Sequence, residues 1–428
     1  MHHALHRIVT GFVMLLVFTG VGFAGEWPQF LGPNRDAVST EKVAAKWPAG
    51  GPKVKWSIDV GPGFGGAAIR DGKVFILDRV MDEADVLRVL DLNTGKELWS
   101  YRYDAKGRLS HYGSRSVPTV DDEAVYTVGG FGNLYCISRK THQPLWHVNL
   151  AEQYPRGDLK WGFAQSPLLY KGMVIAAPTK AETPGLVAFD AKTGKVVWES
   201  EAFGGDYYVS PIIRTVAGKQ GIMQLANKVL AFVDPDTGKT LWKYEGYPDC
   251  NWPIPAPTVL SDGQRIFVTG GYDAGSVMIR VTSAGDSFKV EELFRLKSGA
   301  QIHPAIEYDG FLYANINENA TLRRRTMKDG GFACIDPNTG KIIWRTGEDP
   351  NMDRGAVMLA GDRFIVLDGQ NGDIYLIKPD STKYNEVSRA KVFELDSQRG
   401  NDIWAPMALS DGLLVIRNQK TLKCLEIQ

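Results

Sequence analysis

Asp336-Pro337-Asn338-Thr339-Gly340-Lys341-Ile342-Ile343-Trp344 is the stretch that decides the fold, because the chain repeats it. The same pattern returns at 91–99, 190–198 and 234–242, with Asp, Thr-Gly-Lys and a final Trp at unchanged spacing. A repeat has to be interpreted before any single residue, since it indicates an architecture built from one supersecondary unit.

Each copy predicts a β-hairpin followed by an aromatic ring that packs on a neighbour. Alternating apolar runs, such as 86–90 and 185–189, precede the turn, and a period of two on both sides of a short Gly-containing turn is typical of a hairpin. The Gly supplies a positive φ, and the Asp carboxylate bonds the turn backbone. One Trp per repeat, at a fixed offset from the turn, indicates a ring that docks on the adjacent repeat.

Aromatic residues mark the ends of eight such strands, 43 to 52 residues apart. That spacing is the length of one four-stranded propeller blade. The predicted structural docking residues are Trp56, Trp99, Trp146, Trp198, Trp242, Phe294, Trp344 and Phe393.

The two ends of the chain are expected to share the last blade. After Phe393 the sequence predicts three more strands, at 406–409, 413–416 and 422–426, and stops one strand short of a blade. The orphan strand at 53–56 supplies the fourth, which removes the open sheet edges. The fold is therefore predicted as an all-β, eight-bladed β-propeller of four-stranded antiparallel blades, closed by N-terminal strand pairing in the last blade.

The amino-acid composition argues against one class of binding partner. Lys plus Arg and Asp plus Glu both number 49, so the formal charge is zero and no net field attracts phosphate. We therefore expect no nucleic-acid partner. An apolar content of 44% suffices for a large core, and closed β architectures run long as one domain, here 53–428. We expect a monomer.

The first 52 residues precede the ring. Residues 1–24 are predicted to be a signal peptide, because about 16 apolar residues follow Arg7 and end in Gly22-Phe23-Ala24. An uncleaved anchor is the alternative; after cleavage no transmembrane span remains, and the protein is expected to be periplasmic or secreted. Residues 25–52 are predicted to be an N-terminal extension packed on the propeller.

The repeat resembles that of a known family. Its pattern Ala-x-Asp-x-x-Thr-Gly-Lys-x-x-Trp is similar to the tryptophan-docking repeat of quinoprotein (PQQ-type) eight-bladed propellers, over residues 53–428. That family includes PQQ-dependent alcohol dehydrogenases and the noncatalytic scaffold BamB. Residues 25–52 resemble the leader of exported planctomycete-type propellers. The resemblance implies the fold, and a fold does not determine function.

The channel mouth is the predicted binding site. The innermost strands are expected to begin near Ala67, Pro118, Pro167, Pro211, Pro257, Pro304, Val357 and Pro406, where a Pro costs least. Residues two or three positions earlier, with their neighbours, should lie at the mouth. The candidate ligand-binding residues are Arg115, Trp161, Gln165, Tyr208, Asn251, Trp252, Gln301, His303, Arg354 and Trp404. The basic run 323–325 is interpreted as solvated loop or as a rim for an anionic ligand.

Two functions remain open. The first is an exported, noncatalytic scaffold that binds a protein, peptide or glycan on the channel face, with no cofactor and no metal. The alternative, implied by the resemblance, is a PQQ-dependent alcohol or sugar dehydrogenase with Ca²⁺. Its quinone would stack on Trp161, Trp252 or Trp404, and Arg115 or Arg354 would pair its carboxylates. The adjacent Cys pair of that family is absent and carboxylates are sparse near the mouth, although calcium needs several clustered oxygens. The same aromatic residues would also serve to plug the channel.

Overall fold

Eight antiparallel sheets surround a central channel. The computed structural model describes residues 25–154, 161–179, 182–205, 207–248, 252–285, 287–317, 330–394 and 402–428. The predicted signal peptide, the basic run 323–325 and Asn251 lie outside these residues. Every sheet has four strands in the order of a propeller blade, and one sheet gains a fifth, so the predicted eight-bladed propeller is confirmed.

Blades one to four follow one another along the chain, each from its innermost to its outermost strand. Blade one is Ala68–Arg70, Lys73–Val80, Ala84–Asp91 and Glu97–Asp104, and blade two is Thr119–Val120, Ala124–Val128, Asn133–Ser138 and Pro144–Asn149. The short helix Leu150–Gln153 follows. Blade three is Leu168–Tyr170, Met173–Ala176, Val187–Asp190 and Val196–Glu199, and blade four is Ile212–Val216, Lys219–Leu225, Leu230–Val233 and Thr240–Tyr244.

Blades five to seven repeat this arrangement, and blade eight uses both ends of the chain. Blade five is Thr258–Val259, Arg265–Gly270, Gly275–Ala284 and Ser287–Leu296, and blade six is Ile306–Tyr308, Phe311–Ile316, Gly331–Ile335 and Ile342–Arg345. Blade seven is Ala356–Ala360, Arg363–Leu367, Asp373–Ile377 and Glu386–Lys391, and blade eight is Ala408–Ser410, Leu413–Arg417, Thr421–Glu426 and Lys53–Asp59.

The ring closes as the sequence predicts. Lys53–Asp59 pairs antiparallel with Thr421–Glu426, and Trp56 stands opposite Cys424. The outermost strand of blade eight thus comes from the start of the propeller and its three inner strands from the end of the chain.

The repeated turn provides the docking surface for the aromatic ring of the preceding blade. In blade one, the Asp91 carboxylate accepts hydrogen bonds from the backbone amides of Asn93 and Thr94 and from the Thr94 hydroxyl. Gly95 has φ +70°, and a Cβ there would lie 2.7 Å from the Trp56 ring. The Trp56 Nε1 donates to the Leu92 carbonyl at 2.7 Å. The turn therefore requires Gly because of both its backbone angle and the ring against it.

The same contact recurs around the ring. Trp146 packs against Gly194, Trp198 against Gly238 and Phe294 against Gly340, in each case one blade further on. Trp344 donates to a carbonyl of blade seven, Trp242 packs in the apolar core shared by blades four and five, and Phe393 lies below the Lys423 ammonium of blade eight.

Blade two shows how a degenerate copy retains this contact. His142 occupies the position of the turn Gly, with φ +59°. Its ring stacks on Trp99 at a centroid distance of 4.3 Å and an interplanar angle of 10°. In the turns that keep Gly, the docking aromatic ring packs closely against it. In blade two the flat His142 ring stacks on the docking ring instead.

The extension 25–52 is bound to the inner strands of blades one and seven, which flank blade eight. Trp27 exchanges two backbone hydrogen bonds with Ile69 of blade one. Val38–Ser39 adds a parallel fifth strand to Ala356–Ala360 of blade seven. Between these two contacts the chain reaches blade three through Arg35 and lines the channel cavity with Phe30, so it crosses the channel.

Arg35 anchors that crossing. Its side chain is 2% exposed and donates to the carbonyls of Ser166 and Pro167 in blade three at 2.9 and 2.8 Å. Burial lowers the pKa of Arg35 to about 9. Arg214 of blade four donates to the Arg35 carbonyl in turn. The extension therefore lies inside the base of the ring, a more central position than a segment draped over the outside.

Within the described residues, no helix has the length and apolar character needed to cross a bilayer.

Substitution of Trp56 tests the contribution of ring docking to stability. Trp56→Phe keeps the ring but loses the hydrogen bond to Leu92, and should lower the free energy of unfolding by about 1 kcal/mol. Trp56→Ala also opens a cavity at the closing blade and should cost about 3–5 kcal/mol. Chemical denaturation followed by tryptophan fluorescence measures both. Leu145→Ala, at a side chain 56% exposed, is the control and should change little; equal losses in all three variants would contradict the docking role.

Candidate functional site

A cavity of about 340 Å³ opens where the inner strands begin. The residue three positions before each predicted start of an inner strand lines this cavity in every blade except the eighth, where that residue is Ile403. Its lining is Phe30, Phe64, His111, Arg115, Trp161, Ala164, Tyr208, Ser210, Ile254, Tyr272, Gln301, Ile302, His303, Arg354, Trp404 and Pro406. Equivalent residues of neighbouring blades converge here because the blades are related by rotation about the channel axis.

One side of the cavity is an aromatic cluster centred on Trp161. The ring centroid of Trp161 lies 5.0 Å from Tyr208, 5.1 Å from Trp252 and 5.8 Å from Tyr272. Such tilted contacts between rings are favourable beyond the area they bury. The rings come from blades three, four and five, so their packing also fixes the blades relative to one another.

The opposite side is a second aromatic group. Phe64 stacks on Trp404 with centroids 5.3 Å apart and planes at 27°. His111 lies edge-on to Phe64 and to Trp161, with centroids 6.0 Å away in each case. His111 thus links the two groups into one aromatic wall, which presents flat apolar faces to a ligand.

Two guanidinium groups supply the charge of the cavity. Arg354 Nε donates to Gln301 Oε1 at 2.6 Å, and its guanidinium lies 5.0 Å from the centre of the Trp404 ring. Arg115 donates to the backbone carbonyls of Gly113 and His111. Burial lowers the pKa of Arg115 to about 10, so it remains charged at neutral pH. Both groups favour an anionic ligand.

His303 is a neutral wall residue. Its Nε2 lies 3.0 Å from the Trp404 carbonyl, which only accepts, so this nitrogen carries the proton. Burial lowers the pKa of His303 to about 4. The ring therefore adds no charge above pH 5 and holds Trp404 in place.

The base of the cavity is closed by the extension. Phe30 lines the cavity, and the Arg35 guanidinium lies 5.7 Å from its ring centre. The extension therefore contributes part of the cavity wall on the side of the base.

Seven of the ten predicted site residues line the cavity, two of the others lie away from it, and one is outside the described residues. Those that line the cavity are Arg115, Trp161, Tyr208, Gln301, His303, Arg354 and Trp404. Trp252 lies behind the wall, against Trp161 and Tyr272. Gln165 does not line the cavity: it is 2% exposed and donates to the Tyr207 carbonyl at 2.9 Å. Asn251 lies outside the described residues, so its placement stays a prediction.

Three lining residues were not predicted. Phe30 belongs to the extension, which lacks the repeat, and Ser210 lies two residues before the inner strand Ile212–Val216 of blade four. Tyr272 comes from the tight hairpin after Arg265–Gly270, where Tyr272 and Asp273 have φ of 56° and 66°. In the sequence, an aromatic residue at the tip of a hairpin was the only feature that could have indicated Tyr272 as a lining residue.

The lining suits a flat anion and does not suit a hard cation. Of the residues that the structure describes, no Asp or Glu lines the cavity; its oxygen ligands are the neutral groups of Gln301, Ser210, Tyr208 and Tyr272. Calcium requires several clustered oxygens, most of them carboxylate. Nor do the described residues contain a group of three or more His, Cys, Asp or Glu able to hold a metal.

The fold and repeat define a PQQ-type propeller, and a family comparison supports the same conclusion. The sequence model described as "Outer membrane protein assembly factor BamB" matches residues 37–153 and 82–283. Since these matches together cover more than half of the 428 residues, the chain belongs to this family of PQQ-like propellers.

Most of the curated relatives are named as quinone-dependent or quinoprotein alcohol dehydrogenases. The chain is 25% identical over 299 residues to "Lupanine 17-hydroxylase [cytochrome c]" of Pseudomonas sp, covering 62% of this chain and 40% of the relative. It is 30% identical over 349 residues to "Alcohol dehydrogenase (quinone), dehydrogenase subunit" of Komagataeibacter europaeus, covering 71% and 44%. The chain thus spans less than half the length of these relatives.

Solved structures share the fold at low identity. A europium-containing methanol dehydrogenase superposes with a TM-score of 0.66 at 12% identity, covering 92% of this chain and 90% of that one. BamB from Moraxella catarrhalis superposes with a TM-score of 0.58 at 12% identity, covering 87% and 99%. At this identity the likeness extends to the fold alone.

The neutral state of His303 predicts a dependence of stability on pH. Its pKa is about 4 when folded and 6.5 in the unfolded chain, so between these values the unfolded state binds the additional proton. The neutral His303 therefore contributes stability to the folded state that is fully present above pH 6.5. This stability is lost as the pH falls toward 4, and the free energy of unfolding decreases by up to about 3 kcal/mol. His303→Gln should lose less stability than wild type between pH 7 and 4 in urea denaturation. His142→Gln, on an outer turn, is the control; identical pH profiles for wild type and His303→Gln would contradict the assignment.

Proposed function

We propose that this protein is an exported, noncatalytic binding propeller whose channel-mouth cavity takes a negatively charged ring of a glycan partner. The single observation that carries the proposal is the lining: an aromatic wall and two guanidinium groups, with no carboxylate among the described lining residues. Among the partner classes that the sequence leaves open, protein, peptide and glycan, an acidic sugar best combines a flat apolar face with a carboxylate.

The size and shape of the cavity support a single inserted group. A volume of about 340 Å³ is at the lower end of small-molecule sites and accommodates one or two sugar rings. The apolar faces of such rings stack on Trp161 and Trp404, and their carboxylates pair with Arg354 or Arg115.

The same lining argues for binding without chemistry. A hydrolase or dehydrogenase of a sugar needs a positioned acid or base. His303 is neutral with its Nε2 proton donated to Trp404, and the described lining offers no Asp or Glu. The other imidazole of the lining, His111, lies edge-on to Phe64 and Trp161 as part of the aromatic wall, so the described lining is built mainly to bind and orient a ligand.

Export is part of the proposal, and a separate measurement tests it. The apolar run of residues 8–23 before Ala24 supports cleavage and release to the periplasm or medium. N-terminal sequencing of the mature protein should begin near Gly25. A mature protein that starts at Met1 and pellets with membranes would contradict it.

A second candidate is favoured by the names of several relatives, which are a quinone alcohol dehydrogenase and two quinohemoprotein alcohol dehydrogenases. PQQ is a planar tricarboxylate, so its rings fit the aromatic wall and its charges fit Arg115 and Arg354. The lining does not fit the calcium ion that accompanies it in that family, for want of carboxylate ligands. Absorbance titration with PQQ, with and without Ca²⁺, separates the two. Calcium-dependent binding with alcohol-driven reduction of a dye would replace the proposed function.

Binding of an acidic oligosaccharide is the direct test. Calorimetric titration with an oligogalacturonate should show binding that weakens with salt, and the matched neutral oligosaccharide should bind at least about tenfold more weakly. Arg354→Gln removes one charge-assisted hydrogen bond and should weaken binding about 10- to 100-fold.

Arg102→Gln is the matched control, since Arg102 is a half-exposed surface residue paired with Glu83. It should bind like wild type. Equal affinity for neutral and acidic sugars, or an unchanged affinity in Arg354→Gln, would contradict the proposed function.

A further inference from the structure

A second cavity, of about 190 Å³, lies nearer the base of the ring. The channel-mouth cavity is lined mainly by residues that precede the inner strands. This one is lined by residues in and next to the inner strands of blades four, five and six, and by Arg35, Asp36 and Val38 of the extension. The two cavities share no lining residue, so they are separate sites.

The base cavity lies where the extension leaves a gap in its contacts with the ring. Among the described residues, the extension forms hydrogen bonds with blades one to four through residues 27–35, and with blades seven and eight through residues 37–47. It forms none with blades five and six, whose inner strands line the cavity. The cavity is therefore a space between the extension and two blades that the chain itself does not fill.

Arg214 of blade four brings a cationic group with unused donors to this cavity. Its Nη1 donates to the carbonyls of Asn34 and Ile213 at 2.7 and 2.8 Å, and its Nη2 donates to that of Arg35 at 2.9 Å. A guanidinium has five N–H donors, so these bonds leave two of them for a ligand. Burial lowers the pKa of Arg214, so its charged form would gain from an anionic partner.

Two carboxylates bring unused acceptors to the same cavity. Asp36 Oδ1 accepts from the Val38 amide at 3.1 Å, and burial raises the pKa of Asp36. Glu307 of blade six accepts from the amide and the hydroxyl of Ser261 at 2.6 and 3.0 Å, which fixes its position. A carboxylate has about four lone-pair sites, so both groups can accept further hydrogen bonds. Within the described part of the chain, no cation forms an ion pair with Glu307.

The charges of the lining balance. Arg35 and Arg214 carry two positive charges, and Asp36 and Glu307 carry two negative charges. A ligand with one charge of each sign keeps this balance and pairs with both kinds of group, whereas a singly charged ligand leaves a partly buried charge uncompensated. Apolar side chains supply much of the remaining lining, namely Val38, Pro257, Val259, Pro304 and Ile306.

We infer that the base cavity binds a free amino acid with a small apolar side chain, its carboxylate on Arg214 and its ammonium on Glu307. The volume of about 190 Å³ is below that of drug-sized sites, which begin at about 300 Å³, so one residue fits better than a peptide. Such a ligand would join the extension side of the cavity to blade six, where the chain itself makes no hydrogen bond. The inference does not rest on the proposed function, because the two cavities are separate.

Titration of the full mature chain with L-valine tests the inference. Calorimetry should give one site per chain, and L-valine at ten times its Kd should raise the Tm by about 2 °C. Two matched compounds each lack one charge: isobutylamine has no carboxylate, and 3-methylbutanoate has no ammonium. Each should bind at least about tenfold more weakly, because one charged group of the cavity then has no partner. The dipeptide Val-Val should also bind more weakly, because the volume suits one residue.

Glu307→Gln is the diagnostic variant, since it keeps the side-chain shape and an acceptor for Ser261. It should weaken the binding of L-valine about 10- to 100-fold. The binding of 3-methylbutanoate, which has no ammonium, should change little. Glu291→Gln, at a side chain 52% exposed on the outer strand of blade five, is the matched control and should bind L-valine like wild type.

Four results would each overturn the inference. They are no binding of L-valine, L-alanine or L-leucine by wild type up to about 10 mM, equal affinity for L-valine and either matched compound, tighter binding of Val-Val, and an unchanged affinity for L-valine in Glu307→Gln. If Glu307→Gln does not fold, the comparison of L-valine with its two matched compounds on wild type still decides.

Discussion

The pairing of Lys53–Asp59 with Thr421–Glu426 is the constraint on which the rest of this protein depends. An open stack of eight sheets would expose two edges and leave the last docking ring without a partner. Joining the start of the propeller to its end removes both problems, and Trp56 then packs on the first repeated turn. Because the ring is closed, every inner strand starts at the same distance from one axis, and this common geometry brings eight loops together at one cavity.

Docking between blades combines a local motif with a long-range contact. The turn is stabilised by the Asp carboxylate at its own first position, and hydrogen bonding to Thr94 lowers the pKa of Asp91. The Gly of that turn then accepts a ring from the previous blade. Since the same residues satisfy both requirements, local preference and global packing agree, which is a condition for a chain to fold to one structure. His142 shows that the contact tolerates another residue provided a flat face is kept.

The closed propeller and most of the residues of the cavity wall could be predicted from the sequence, because both depend on the repeat. Counting back three residues located Phe64, Arg115, Tyr208 and Arg354, since equivalent loop positions point to the same axis. Gln165 does not line the cavity because its buried amide donates to the Tyr207 carbonyl of the next blade, a contact between blades that the repeat does not predict. Phe30 and Tyr272 depend on tertiary structure without a local pattern: the path of a nonrepeating extension, and a hairpin tip with two positive φ angles.

The extension that crosses the base turns the propeller from a tube into a cup. Arg35 and Phe30 lie across the lower end, and the aromatic wall and Arg354 lie at the upper end. The two faces of the molecule therefore present different side chains to their surroundings, and a substitution in the extension changes one face while leaving the loops of the other in place.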